Sequence, residues 1–520
     1  MATQQNATTQ TKTAPGPWIR SLFTFGPELL RRDPVDVAVD LREHYGHVVR
    51  IPPIYPGLDR PAYVVTHPDD VQYILQTHHN EFDGLGIQGS ADFAAAVEGS
   101  ILGPPENDDP EWWKQRLRQL APEFNEHAAV GGVRALARET STTLAEYANE
   151  QSDAAQPATL KRVFGNRPDP AAVLANTGEI RLLPLASRLS IRLIGVSLFG
   201  PDVRAHEAAV IRAVARLRRA FKRRTFGVVT GAISRRLPDW VSSSFSTPLR
   251  VLRGGTTKPP DPLGTLHEVA DAMVARRERA PWIFDDAVTT WLTRPDSVTG
   301  ATLTPKNARD EIVGLLIAGF ATVSAALTWA IYLVATHPEI QNRMYEETRS
   351  SRLFGPLSTA STDSVWTPTH TELRAEFSLI HRVFQEVLRL YPTLPVFGRS
   401  ACEGVSLGGY AIEDGAPVFV SPYVTHRDPE FWENPTKFDP DRFLPSRSRD
   451  RPEFAYYPFS AGPNGCLGRE IATTEAVVAL ATLFREYRVE LTDNGSVGMD
   501  SAINLQPDRD IHVRLFPRSP

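Results

Sequence analysis

"YPFSAGPNGCLGREIA", residues Tyr457–Ala472, sets one of the chain's two cysteines in a glycine-dense turn directly ahead of a helical stretch. Phe459, Gly462, Cys466 and Gly468 spell Phe-x-x-Gly-x-x-x-Cys-x-Gly. Glycines let backbone pass close to a flat ligand and adopt turns that other residues resist. The run "LGREIATTEAVVALATLF" after Cys466 is strongly helical in character, so free N–H groups and the positive helix end are expected to favour a thiolate. Such a thiolate is a metal ligand or a nucleophile. A buried inert cysteine would have no use for Gly462, Gly465 and Gly468 around it.

Working outward, 520 residues is about three times the usual domain length. No internal repeat or low-complexity linker divides the chain, which favours one large domain over residues 17–520. The polar residues 1–16 read as a disordered tail without the charged start and apolar run of a secretory signal. "PWIRSLFTFGPELL" is too short to span a bilayer, so a soluble, cytoplasmic protein is expected. Hydrophobic residues at 42% and charged residues at 22% are the balance of a globular protein. The net charge of −5 gives no sign of nucleic acid, and Cys402 and Cys466 alone exclude a disulfide framework or a multi-cysteine zinc site.

"HVVRIPP" and "RPAYVVTHP" alternate like a strand pair, and "DDVQYILQTH" then takes helical spacing. Helical periodicity returns over residues 111–124, 179–196 and 210–222. Between Arg212 and Lys258 twelve basic residues meet a single acid, Asp239. That stretch reads first as a solvated face. Its interleaved Phe221, Phe226, Trp240 and Phe245 give a second reading, a surface for peripheral contact with anionic lipid. Residues 312–336 carry no charge, long enough for a membrane helix, yet Gly319, Thr322, Ser324 and Thr328 stripe the run with small and polar groups. Burial as a central helix is the expectation, and an anchor in a non-enzymatic membrane protein is the alternative.

The chain resembles the cytochrome P450 family, the haem-thiolate monooxygenases, in its soluble bacterial type. The resemblance rests on the cysteine stretch, on Glu386 and Arg389 in "FQEVLRLYP", on Arg442 in "FDPDRF", and on "IAGFATVSAALTW". It implies a mainly α fold with small β-sheets (α+β) and a long central helix over the haem. Cys466 would be the axial iron ligand of haem b (iron protoporphyrin IX), with Phe459, Gly462, Asn464 and Gly468 around it. Asn464 stands where the family usually has Arg or His. Glu386, Arg389 and Arg442 would serve folding and haem incorporation. Arg399 would meet a haem propionate. Trp112 and Arg116 fit the family's Trp-x-x-x-Arg by their own spacing, whereas counting back from Pro122 and Phe124 favours Trp113 and puts Leu117 at the arginine position.

On the central helix the family normally carries a glycine, an acid and a threonine. Ala318, Gly319 and Thr322 match the catalytic small residues and the hydroxyl, but Ala321 occupies the acid position. The expected reaction is insertion of one oxygen atom from O₂ into a lipophilic small molecule, a fatty acid, terpenoid or steroid-like compound. Electrons would come from a separate ferredoxin with its reductase, or a similar donor. A monomer is expected, without nucleic acid. The missing acid leaves an alternative open: a haem-thiolate isomerase, dehydratase or peroxygenase. Phe320, Val396 and Phe397, with the loop 84–103, are the expected pocket walls.

Overall fold

The computed structural model describes residues 12–17, 32–53, 60–83, 97–103, 110–155, 179–235, 261–354, 367–493, 495–501 and 504–518, and the statements below concern these. Helices dominate. Those that build the site are α1 (Pro34–Tyr45), α2 (Pro110–Leu120), α3 (Val133–Ala155), α4 (Leu182–Ile194), α5 (Val203–Arg235), α6 (Pro262–Arg279), α7 (Pro305–Leu315), α8 (Ala321–Ala335), α9 (Pro338–Arg349), α10 (Ser378–Leu390) and α11 (Arg469–Glu486). Proline opens several of them. Asp33, Asp261 and Thr304 each accept a backbone N–H with their side chains just ahead of Pro34, Pro262 and Pro305. A polar cap followed by a ring that fixes φ and needs no N–H partner is a strong helix start.

Twelve short strands follow in chain order: β1 (Val48–Ile51), β2 (Ala62–Val65), β3 (Phe82–Asp83), β4 (Ile180–Arg181), β5 (Phe397–Ala401), β6 (Ser406–Leu407), β7 (Tyr410–Ala411), β8 (Pro417–Val420), β9 (Tyr487–Leu491), β10 (Met499–Asp500), β11 (Gln506–Pro507) and β12 (His512–Pro517). The main sheet runs β1-β2-β8-β5-β3. Its β1–β2 ladder, Val48 opposite Val65, is the strand pair expected from the alternating sequence. The end of the expected tail is not loose. Ala14 is buried and the Pro15 carbonyl accepts the Arg50 N–H at 2.8 Å, so residues 12–17 lie against β1; residues 1–11 lie outside the described residues.

α7, a π turn at Leu316–Phe320 and α8 make one rod from Pro305 to Ala335, roughly 46 Å long at 1.5 Å per residue. Leu182–Phe199 and Pro305–Ala335 are both long and apolar enough to cross a membrane, and both are mostly buried, 72% and 78% of the apolar windows. Val323, Leu327, Ile331 and Val334 pack with Leu185, Leu189, Val383, Val387, Leu480 and Phe484. Ile312, Leu316 and Ile317 pack with Ile191, Ile194, Leu266, Val269 and Trp291. The charge-free run is therefore enclosed by α4, α6, α10 and α11, as its composition suggests. Of the basic stretch, 212–235 continues α5, with Arg218 held by Asp500 at 3.1 Å. Residues 236–258 lie outside the described residues, as do 84–96 of the expected pocket loop.

Candidate active site

Glu386 and Arg389, three apart on α10, face inward at the same level. Glu386 is wholly buried, meeting Arg389 at 2.7 Å and Arg442 at 2.9 Å. Arg389 also donates to the carbonyls of His426, Pro435 and Lys437, and Arg442 to those of Glu433, Asn434 and Lys437. One carboxylate and six hydrogen bonds to carbonyls thus satisfy two buried guanidinium groups, which a surface pair would never require. The segment between Pro422 and Phe443 is stitched to α10 by this network, directly ahead of the cysteine loop.

That loop is tied to itself. The Cys466 N–H donates to the Phe459 carbonyl at 2.9 Å, and the Gly465 N–H to that of Gly462 at 3.0 Å. Gly462 has φ +66°, and a β-carbon there would come within 1.9 Å of the Leu75 carbonyl oxygen. A Cβ on Gly468 would meet no protein atom. Phe459 packs on the core cluster of α8, α10 and α11, while Asn464 is exposed. Cys466 stays solvent-accessible although chain surrounds it closely. Burial pushes its thiol upward; the Gly468 N–H and the Arg469 charge pull it back only in part. The helix end therefore does not ionise the sulfur unaided, as the sequence suggested. A bound metal would complete the deprotonation.

The rod is buried from Asp310 to Ile331 except at Ala318, Gly319, Ala321 and Thr322. These four surround the end of the π turn, a device common at functional sites. Carbonyls near it find side-chain donors: Ser190 Oγ to Phe320 O at 2.9 Å, Asn504 Nδ2 to Ala321 O at 2.9 Å, and Thr322 Oγ1 to Ala318 O at 2.6 Å. Gly319 lets α4 approach, since a Cβ would lie 2.7 Å from Ile194 Cδ1. Phe320 does not share the accessible patch. It is buried in the cluster of Ile191, Ile194 and Leu316, so the sequence-based placement in the pocket is corrected. Ala321 and Leu467, the residue after the cysteine, border that same cluster, together with Ile101 and Leu102. Phe397 is buried against Tyr457, and Val396 is half-buried beside Tyr423 and Leu505.

Arg399 on β5 donates to its neighbour's carbonyl, Gly398, at 2.9 Å, and meets no carboxylate among the described residues. Burial alone depresses its basicity. A part-buried cation without an anion fits an acidic group of a ligand. Arg116 does not supply a second one. It is buried on α2 over the Trp112 ring and meets Glu311 of α7 at 3.2 Å, while Arg118 meets Asp296. The spacing that assigned Trp112 and Arg116 to the cofactor thus leads to an internal ion pair. Sequence reasoning also missed Glu311, Glu475 and Asn504, because nothing in a local pattern announces a buried acid or amide whose partner lies far along the chain.

A loop that keeps a cysteine accessible, a glycine with open space beside it, a part-buried arginine without a carboxylate among the described residues and a polar-edged gap in the buried rod would together suit a flat anionic metal cofactor held through sulfur. The cytochrome P450 family profile matches residues 284–509. Cytochrome P450 4V2 of Mus musculus is 32% identical over 220 residues, 42% of this chain and 40% of that protein. Pentalenene oxygenase of Streptomyces avermitilis is 30% identical over 255 residues, 49% of this chain and 54% of that one. These alignments span about half or less of the relatives' length. The crystal structure of the cytochrome P450DA heme domain superposes with a TM-score of 0.71 over 98% of both chains at 20% identity, which speaks for the fold. Residues 284–509 match the cytochrome P450 family, whose cofactor is haem, and the fold over nearly the whole chain is that of such a haem domain.

Proposed function

We propose that the protein, as one domain over residues 17–520, is a haem-thiolate monooxygenase acting on a lipophilic small molecule. One observation carries the reading: Cys466 stays accessible in a loop closely surrounded by chain, and Ala321, one of the four accessible residues of the buried rod, borders the same apolar cluster as Leu467. Cys466 would ligate the iron, Phe459 and Gly462 would fix the loop, and Gly468 would admit the ring plane. Arg399 would hold a propionate, while Asn464, exposed and uncharged, would leave its contact weaker than the family's usual Arg or His. Bound haem supplies oxygen activation, favoured by electron donation from thiolate. The net change places one atom of O₂ in a substrate C–H bond and releases the other as water, consuming two protons and two electrons from a separate ferredoxin-type donor.

The chain's own part is to position substrate and manage protons. Ala318, Gly319 and Ala321 keep the covering helix thin where a substrate must approach, and Thr322 Oγ1, now donating to Ala318 O, is the hydroxyl that can turn toward the site. Half-buried Val396, with the apolar Ile101 and Leu102, would give the walls their lipophilic character, suited to a fatty acid, terpenoid or steroid-like compound. The mostly buried state of both apolar helices favours a soluble protein over one anchored by either of them. Ala321 favours a second reading, peroxide-driven oxygenation or rearrangement of an already oxidised substrate, since the residue ahead of Thr322 carries no carboxylate.

The test is the reduced carbon monoxide difference spectrum of the purified protein and of Cys466→Ser. The parent is expected to give the red-shifted thiolate band and the variant to lose it; an unchanged spectrum refutes sulfur ligation. Turnover with reduced ferredoxin and O₂, set against turnover with hydroperoxide, separates the two reaction classes.

A further inference from the structure

The turn over residues 97–103 is closed by its own hydrogen bonds: Gly99 N–H to Gly103 O at 2.8 Å, Gly103 N–H to Ser100 O at 3.0 Å, and Ser100 Oγ to Val97 O at 2.7 Å. It is pressed onto α7. A Cβ on Gly314 would lie 2.5 Å from Ser100 Oγ, and one on Gly99, at φ +81°, would lie 2.9 Å from Asp310 Oδ2. The Ile101 N–H leaves the turn and donates to Glu311 Oε2 at 3.0 Å. Glu311 is fully buried, and its other oxygen meets Arg116 of α2, itself 3% exposed. Of the charges nearby, Asp310 is taken by Lys306 and Arg309, and Arg118 by Asp296. Ile101 and Leu102, on either side of this anchor, are half-buried on the cluster that Ala321 and Leu467 also border.

We propose that Glu311, with Arg116 as its counter-ion, latches the 97–103 turn to α7 and so holds Ile101 and Leu102 in place as a wall of the substrate site, making Glu311 a positioning residue for substrate. The inference rests on the haem-enzyme reading for what the wall faces, and on geometry alone for the latch. Arg116 is then the counter-ion that lets a buried carboxylate accept a backbone N–H. Burial lifts the Glu311 carboxyl to about 7 despite Arg116 and the Ile101 N–H, so the counter-ion has a real cost to offset.

Removing one member of a buried ion pair strands the other, whereas removing both is often tolerated. The experiment therefore compares two paired variants, Arg116→Met with Glu311→Gln and Arg116→Met with Glu311→Leu, which differ in the acceptor left for Ile101. Amide hydrogen exchange of the 97–103 segment and the Kd of 1-phenylimidazole, read from the haem spectrum, are measured on each full-length protein. With glutamine both stay near the parent values; with leucine exchange quickens and Kd rises, each about tenfold, the scale of one lost hydrogen bond to a buried acceptor. Equal exchange and equal Kd in the two variants would overturn the latch. So would loss of haem from the glutamine pair, which would assign Arg116 to the cofactor instead. The exchange comparison needs no haem, so its failure tells against the latch alone, and a parent protein without the haem spectrum tells against the enzyme reading alone.

Discussion

At Gly462 the backbone turns through φ +66° while a β-carbon would collide with the Leu75 carbonyl. Gly462→Ala should cost about 2–5 kcal/mol, the sum of a left-handed backbone and an overpacked contact. Denaturant midpoints measure it. Gly468, two residues past the cysteine, has φ −84° and open space on its Cβ side. Gly468→Ala should therefore leave the midpoint of haem-free protein within about 0.5 kcal/mol. It should nonetheless speed haem loss to excess apomyoglobin, because the new methyl would take up the space left open beside the cysteine loop. A pair of alanine variants with equal midpoints would show that Gly462 is not held as the backbone indicates. The two glycines look alike in the motif. One is required by the fold and the other is left free by it, a distinction that only the position of Leu75, distant in the chain, reveals.

Single elements carry two consequences. Along the rod, Ala321 is the accessible neighbour of Thr322, so Ala321→Asp restores a carboxyl beside the hydroxyl. If protons limit O₂ use, the rate of product formation with O₂ should rise by about a hundredfold, the low end of general-acid contributions, while hydroperoxide-driven turnover stays unchanged. No gain with O₂, beside efficient hydroperoxide turnover, would favour the second reaction class. On α11, Glu475 is buried with Ser197 Oγ donating to it at 2.7 Å, and burial lifts its carboxyl from 4.5 to about 8. A raised folded value means that its favourable contribution is complete below about 4.5 and is lost as pH climbs to about 8. The Tm of Glu475→Gln minus that of the parent should accordingly climb between those limits and level off above. A difference that stays flat with pH would mean that the carboxyl ionises as it does in water.

Across the whole molecule, what was legible in the sequence was what lies close together along it. Cys466 and its glycines, the i, i+3 pair Glu386 and Arg389, and the charge-free rod all declare themselves over a few turns of chain. What was hidden depends on which way a helix faces. Each residue turns 100°, so Phe320 sits in the core between two accessible neighbours, and Arg116 on α2 meets Glu311 of α7, nearly 200 residues on. The same limit applies to the Glu386 network, whose third member, Arg442, and five carbonyl acceptors come from segments beyond α10. That network fixes the approach to the cysteine loop, so its loss should be felt globally. Glu386→Gln leaves Arg389 and Arg442 as two buried cations facing only carbonyl dipoles and one amide, at a cost of about 3–5 kcal/mol. Arg447→Ala, which removes the exposed pair with Asp439 at 2.9 Å, should cost under about 1 kcal/mol. Added salt should narrow the second effect and leave the first, because screening reaches only solvent-exposed charge. Urea midpoints at low and high ionic strength measure all four values, and a Glu386→Gln cost no larger than that of Arg447→Ala would show that the buried network is not what holds the cysteine loop to α10.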